Sequence, residues 1–216
     1  MHEGFDPHAT QPVRRAGIAI PDARLVAVLL HGRGASAENI LALSAELPVS
    51  DVAYLAPQAA GGTWYPYSFL APLEQNEPWL GSALRMLSRL VDELQRQGVT
   101  RERIALGGFS QGACLALEFA ARSAGRYAAV FALSGGLIGP PGTPRDYEGS
   151  FDGTPVFIGS SDIDPHVPLE RVHESTAVFT RMGARVDERI YPGMPHTVNR
   201  DELEAVAALL SGQPGT

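Results

Sequence analysis

Ile104-Ala105-Leu106-Gly107-Gly108-Phe109-Ser110-Gln111-Gly112-Ala113-Cys114-Leu115-Ala116-Leu117 decides how this chain is read. A short apolar run passes through Gly-Phe-Ser-Gln-Gly directly into Ala- and Leu-rich sequence with helical spacing, so Ser110 falls at the junction of a buried strand and a helix. A turn this tight presses strand and helix together two residues either side of the serine, which accounts for Gly108 and Gly112. The pattern is a nucleophile elbow. It lifts Ser110 clear of a sheet, over the positive end of a helix that favours negative charge developing beside it.

Upstream, Leu25 to Leu30 is a continuous apolar run, the mark of a strand covered on both faces, and it ends in His31-Gly32-Arg33-Gly34. Ser36 is placed to cap a helix carrying Ile40, Leu41 and Leu47, and Val52-Ala53-Tyr54-Leu55 is a second buried strand stopped by Pro57. Residues 57 to 79 have no clear period but concentrate aromatics, so they are expected to wall a pocket, with Trp64, Tyr65 and Phe69 as substrate contacts and Tyr67 beside them. The alternative is an Ω-type loop whose rings pack on the core. Leu80, Leu84, Leu87, Val91 and Leu94 then mark an amphipathic helix ending at Gly98.

Downstream of the elbow, Ala128 to Leu133 and Pro155 to Gly159 are further buried strands, separated by a Gly- and Pro-rich loop. A helix with Val172, Thr176 and Phe179 inward turns at Gly183 into an alternating strand, Arg185 to Tyr191, expected at an outer position. Leu203, Val206 and Leu210 mark a terminal helix. Six or seven strands alternating with helices predict an α/β fold with a doubly wound, mostly parallel sheet. The chain reads as one domain over residues 1–216 with no separate cap, an irregular lead-in over 1–16 and a loose tail over 212–216.

Composition narrows the chemistry. All 17 basic residues are arginine, which excludes a Ser-Lys dyad, a Schiff-base lysine and a P-loop lysine. The net charge is −7 and the arginines are scattered, so no basic stripe offers itself to a nucleic acid. No apolar run approaches the roughly 20 residues of a membrane span, and the first dozen residues lack a basic segment followed by an apolar one, so the cytoplasm is the expected location. Cys114, the one cysteine, reads as core filler, and the six dispersed histidines imply no metal. No cofactor is implied.

A serine hydroxyl needs a base, and in a parallel sheet the loops at the carboxyl ends of the strands are where to seek it. His2 and His8 lie in the lead-in, His173 lies within a helix and His31 precedes glycines. His196, in Pro192-Gly193-Met194-Pro195-His196, follows both the serine and the acids, which is the order Ser, acid, His; His166 is the reserve. For the acid, Asp164 is favoured over Asp162 because Pro165 stiffens the backbone that carries it. Two backbone N–H groups should receive an oxyanion, those of Gln111 and Arg33, with the Arg33 side chain expected in solvent or on an acidic substrate group.

Together, His31-Gly32-Arg33-Gly34, Gly108-Phe109-Ser110-Gln111-Gly112, Asp164-Pro165-His166-Val167-Pro168 and Gly193-Met194-Pro195-His196 resemble the carboxylesterase/phospholipase family of small α/β hydrolases, which includes the acyl-protein thioesterases. The resemblance implies a cap-less α/β-hydrolase fold, a Ser110, Asp164 and His196 triad, and oxyanion donors at Arg33 and Gln111. It also implies a serine carboxylesterase that forms an acyl-enzyme on small-molecule esters. Arg33 and Ala35 stand where the eukaryotic thioesterases usually carry Leu and Asp, and with the altered aromatic stretch they favour a bacterial-type esterase of broad small substrates, while the shallow aromatic roof of residues 57 to 79 is expected to favour short acyl chains. An acyl thioesterase or lysophospholipase is the alternative, and a non-catalytic small-molecule receptor on the same fold is a distant one. The oligomeric state stays open between monomer and homodimer.

Overall fold

The protein is described here by a computed structural model covering residues 5–212. A seven-stranded sheet runs in the order β1-β3-β2-β4-β5-β6-β7. Its strands are β1 (Val13–Gly17), β2 (Leu25–Leu30), β3 (Val52–Pro57), β4 (Ile104–Phe109), β5 (Ala129–Leu133), β6 (Pro155–Ser161) and β7 (Arg185–Tyr191). Every neighbouring pair is parallel except β1 with β3. The helices are α1 (Ala37–Ser44), α2 (Trp79–Arg96), α3 (Gln111–Arg122), α4 (Leu169–Arg181) and α5 (Arg200–Ser211). This is an α/β-hydrolase fold.

Strand alternation sorts the core into two layers. Val26, Val28 and Leu30 of β2 join the layer holding α2, α3 and α4, while Leu25, Ala27 and Leu29 point the other way, toward α1 and α5. Helices on both faces explain why β2 through β6 are almost wholly buried and read as unbroken apolar runs. The outer strand β7 is only half-buried, which is why its sequence alternates. Capping boxes fix the starts of α1, on Ser36 and Asn39, and of α5, on Asn199 and Glu202.

The lead-in expectation is corrected. Residues 13–17 form an edge strand antiparallel to β3, and Asp6 and His8 are anchored on α2 through Ser82. The exposed Arg14 and Arg15 of β1 hid it, because an edge strand of five residues carries no apolar run. The loop after β3 holds two single 3-10 turns, Ala60–Gly62 and Leu73–Asn76. Residues 213–216, most of the predicted tail, and His2 lie outside the described residues; Gly212 is the left-handed cap of α5. Among the described residues no helix is long and apolar enough to cross a membrane.

Candidate active site

Ser110 sits between β4 and α3 with φ 56° and ψ −120°, a conformation that non-glycine residues seldom adopt. The strain is held from several sides. The Ser110 N–H donates to the Leu133 carbonyl at 2.9 Å, and a Cβ on Gly108 or Gly112 would run into the Leu30 carbonyl. The glycines are therefore required by the close approach of β2, in addition to the turn itself. α3 is buried along its whole length except Arg122, so the elbow rests on a helix that cannot shift without opening the core.

The loops after β4, β6 and β7 bring three side chains into one chain of hydrogen bonds. His196 Nε2 lies 2.8 Å from Ser110 Oγ, and His196 Nδ1 lies 2.6 Å from Asp164 Oδ2. An ionised carboxylate only accepts, so Nδ1 carries the proton toward Asp164 and Nε2 is left to accept from the serine hydroxyl. Burial of Asp164 works to raise its pKa. It is outweighed by the His196 contact and by backbone N–H groups of His166 and Val167 donating to Oδ1 at 2.8 and 3.1 Å, so the carboxyl stays below its ordinary value. Asp162 does not reach His196; its Oδ1 accepts from the Gly193 N–H at 2.7 Å and ties down the turn that presents the histidine. His166 lies edge-on to His196, ring centroids 4.8 Å apart, and Phe109 lies against it at 5.0 Å.

The loop after β2 runs beside the serine. A Cβ on Gly32 would lie 3.5 Å from Ser110 Cβ, and among the described residues no acceptor takes the backbone N–H of Arg33. The Gln111 N–H belongs to the first turn of α3, where no intrahelical acceptor exists. Both predicted oxyanion residues thus flank Ser110. Their side chains do something the sequence did not suggest. Gln111 Oε1 accepts from the Trp64 N–H at 3.0 Å and Gln111 Nε2 donates to the Tyr65 carbonyl at 2.8 Å. Arg33 is not simply solvated: Nη1 donates to the Pro66 carbonyl at 2.7 Å and Nη2 to that of Tyr67 at 2.6 Å.

These bonds shape a cleft of about 520 Å³ over Ser110, with Tyr65, Tyr67 and Phe69 on its wall. Trp64 is not on it. The indole is fully buried, donates from Nε1 to the His31 carbonyl at 2.8 Å and packs between the rings of His31 and His8 at 5.0 and 5.6 Å, so its expected role as a substrate contact is corrected to one of support. Phe69 is held from the loop after β5, whose Gly139 N–H donates to its carbonyl at 2.7 Å, and the Arg171 guanidinium lies 5.9 Å from its ring.

Three contributors escaped the sequence reading. Cys114 lines the cleft, one helical turn beyond Ser110 on the same face of α3, and the i to i+4 spacing was the available signal. Burial pushes its thiol up to about 12, so it stays protonated. His31 and His8 hold the aromatic loop: the Ala59 N–H donates to His31 Nε2 and the Ala60 N–H to His8 Nδ1, each at 3.1 Å. No local pattern announces either contact, since each spans tens of residues.

A family model described as phospholipase/carboxylesterase matches residues 19–212. Acyl-protein thioesterase 1 of Kluyveromyces lactis is 31% identical over 133 residues, 60% of this chain and 58% of that protein. Lysophospholipase-like protein 1 of Mus musculus is 30% identical over 138 residues, 63% of this chain and 58% of that one. The matched stretch thus spans 58% of the length of each relative. A crystal structure of a phospholipase/carboxylesterase from Dyadobacter fermentans superposes with a TM-score of 0.90 at 43% identity, covering 93% of this chain and 96% of that one.

Proposed function

The chain belongs to the phospholipase/carboxylesterase family, and from that premise we propose that it is a serine carboxylesterase that hydrolyses short-chain carboxylic esters. The observation that carries the reading is the unbroken hydrogen-bond chain from Ser110 through His196 to Asp164, anchored on a serine at φ 56°.

In this mechanism Ser110 Oγ adds to the ester carbonyl carbon while His196 Nε2 takes its proton. The carbonyl oxygen becomes an oxyanion received by the backbone N–H groups of Arg33 and Gln111. Collapse breaks the bond to the alcohol oxygen, which leaves with the proton from His196, and an acyl-Ser110 remains. A water, deprotonated by His196, adds to the acyl carbon; the acid departs and the proton returns to Ser110. Asp164 keeps the imidazole oriented and stabilises its cation throughout. No cofactor or metal enters any step. We take the protein to act as one domain in the cytoplasm, on small molecules and not on nucleic acid, as a monomer or homodimer.

The wall of the cleft supports a preference for short acyl groups. Tyr67 and Ser68 are pinned by Asn76, which accepts from the Tyr67 N–H at 2.9 Å and donates to the Ser68 carbonyl at 3.0 Å, so the wall is ill suited to retreat from a long chain. The names of the relatives favour a second reading, an acyl thioesterase or lysophospholipase. A series of p-nitrophenyl esters from C2 to C16, run beside an acyl-CoA thioester, separates the two: C2 to C6 should exceed C12 to C16. The test of the whole is turnover of p-nitrophenyl acetate that disappears in Ser110→Ala, with an organophosphonate labelling Ser110. Turnover retained in Ser110→Ala would remove the serine from the mechanism.

A further inference from the structure

We propose that the cleft selects esters that carry a carboxylate, held by the Arg33 guanidinium with His166 as a second donor. The inference rests on the esterase reading and goes beyond it by giving the substrate a charge. Its basis is how charge is distributed over the molecule. The chain as a whole carries −7, yet among the described residues lining the cleft there is no Asp or Glu, while Arg33 and His166 both line it and both are exposed. The two carboxylates of the loop after β6 stand outside the cleft lining: Asp164 has a fully buried side chain behind His196, and Asp162 is turned onto the Gly193 N–H. A substrate entering over Ser110 therefore meets a basic guanidinium and the imidazole N–H of His166 within an acidic molecule.

Arg33 is suited to the task by the way it is held. Its bonds to the Pro66 and Tyr67 carbonyls use two of the five N–H donors of a guanidinium and leave three. The same bonds fix the side chain in place, and the Tyr65 ring lies 6.0 Å from its carbon. A guanidinium already ordered loses less entropy on receiving a carboxylate, whose two oxygens match its fork. Among the described residues no salt bridge to an acidic residue occupies Arg33, unlike Arg14, Arg24, Arg145 or Arg189. His166 is anchored through its backbone N–H on Asp164, which leaves its ring at the mouth of the cleft beside His196.

Net charge and local charge make opposite predictions about salt, which gives a test by sign. The substrates are p-nitrophenyl hydrogen glutarate, a monoanion, and p-nitrophenyl valerate, a neutral ester of equal acyl length, each at 20 and 300 mM NaCl. With the proposed site, kcat/KM for the anionic ester falls about threefold or more as salt rises while the neutral ester changes little. Without it, the −7 chain repels the anion and salt raises that rate. The ratio of anionic to neutral kcat/KM should drop about tenfold in Arg33→Gln, less in Arg33→Lys, and about threefold in His166→Asn. A ratio keeps its meaning even where a variant lowers both rates through the Arg33 backbone or the wall. A rate for the anion that rises with salt, or a ratio unchanged in all three variants, overturns the proposal. Failure to hydrolyse either ester would instead overturn the esterase reading.

Discussion

Two histidine-bearing loops stand on either side of Ser110, and they use the same side chain in opposite ways. His31, after β2, is buried, and both of its ring nitrogens are committed to backbone: Nδ1 donates to the Gly32 carbonyl at 2.8 Å and Nε2 accepts from Ala59. His196, after β7, is 17% exposed and its nitrogens face side chains, a carboxylate on one side and a hydroxyl on the other. An imidazole bonded to immobile amides can only be a strut, since any change of its proton breaks a contact. One bonded to a carboxylate and a hydroxyl gains an anion partner on becoming a cation and can take and return a proton.

The comparison is broken most directly by deletion. His196→Gln should lower kcat by roughly 10⁴-fold or more, on the scale seen when members of a catalytic triad are removed, while leaving thermal stability almost unchanged. A stable variant with activity near that of the parent would mean that His196 is no more than another strut. Asp164→Asn should follow at about 10⁴-fold through loss of the productive tautomer, against less than about tenfold for Asp162→Asn, which loosens only the Gly193 turn. The reverse ranking in kcat would move the acid role to Asp162.

His31→Leu sharpens the other half of the contrast. It strands the Ala59 N–H in a buried site, and chemical denaturation should register a loss of about 1–3 kcal/mol, with kcat of the folded fraction changed far less than in His196→Gln. An undiminished midpoint would remove His31 from the scaffold.

The smallest effects are in pH dependence. Burial holds His8 and His31 below the ordinary value of about 6.5. The unfolded chain then binds protons that the folded one refuses, so stability is complete above about pH 6.5 and declines as the pH falls from there toward the depressed values. Glu202 has the opposite sign: burial, with some help from Asp201 and against the Asn199 N–H, lifts it to about 7. It costs stability as pH rises from its unfolded value near 4.3 through 7. Glu202→Gln should stabilise the fold at pH 8 by on the order of 1 kcal/mol and leave it unchanged at pH 4. Parallel pH profiles for the parent and the variant would contradict this assignment.

What the sequence disclosed and what it withheld follow one physical line. Strands β2 through β6 were legible because burial on two faces leaves no polar position, and α2 because one face is apolar and the other charged. The positions of Ser110, Asp164 and His196 were legible because glycine or proline punctuation sets each one just past a strand. Strand β1, the anchoring of His8 and the burial of Trp64 were not, because each depends on partners far along the chain: β3 for the strand, Ala60 for His8, His31 for the indole. Arg33 was half legible. Its place beside the serine could be read, but its grip on two carbonyls more than thirty residues away could not.

The chain has two tryptophans, and both rings lie against His8, Trp64 at 5.6 Å and Trp79 at 5.5 Å. The tryptophan fluorescence of the protein, excited selectively above the tyrosine band, therefore comes from a cluster built around one residue of the N-terminal arm. Because Trp64 also grips the carbonyl of the loop beside Ser110, its emission spectrum is a native optical gauge of whether the arm is docked and the cleft wall is seated. No label needs to be attached to read it.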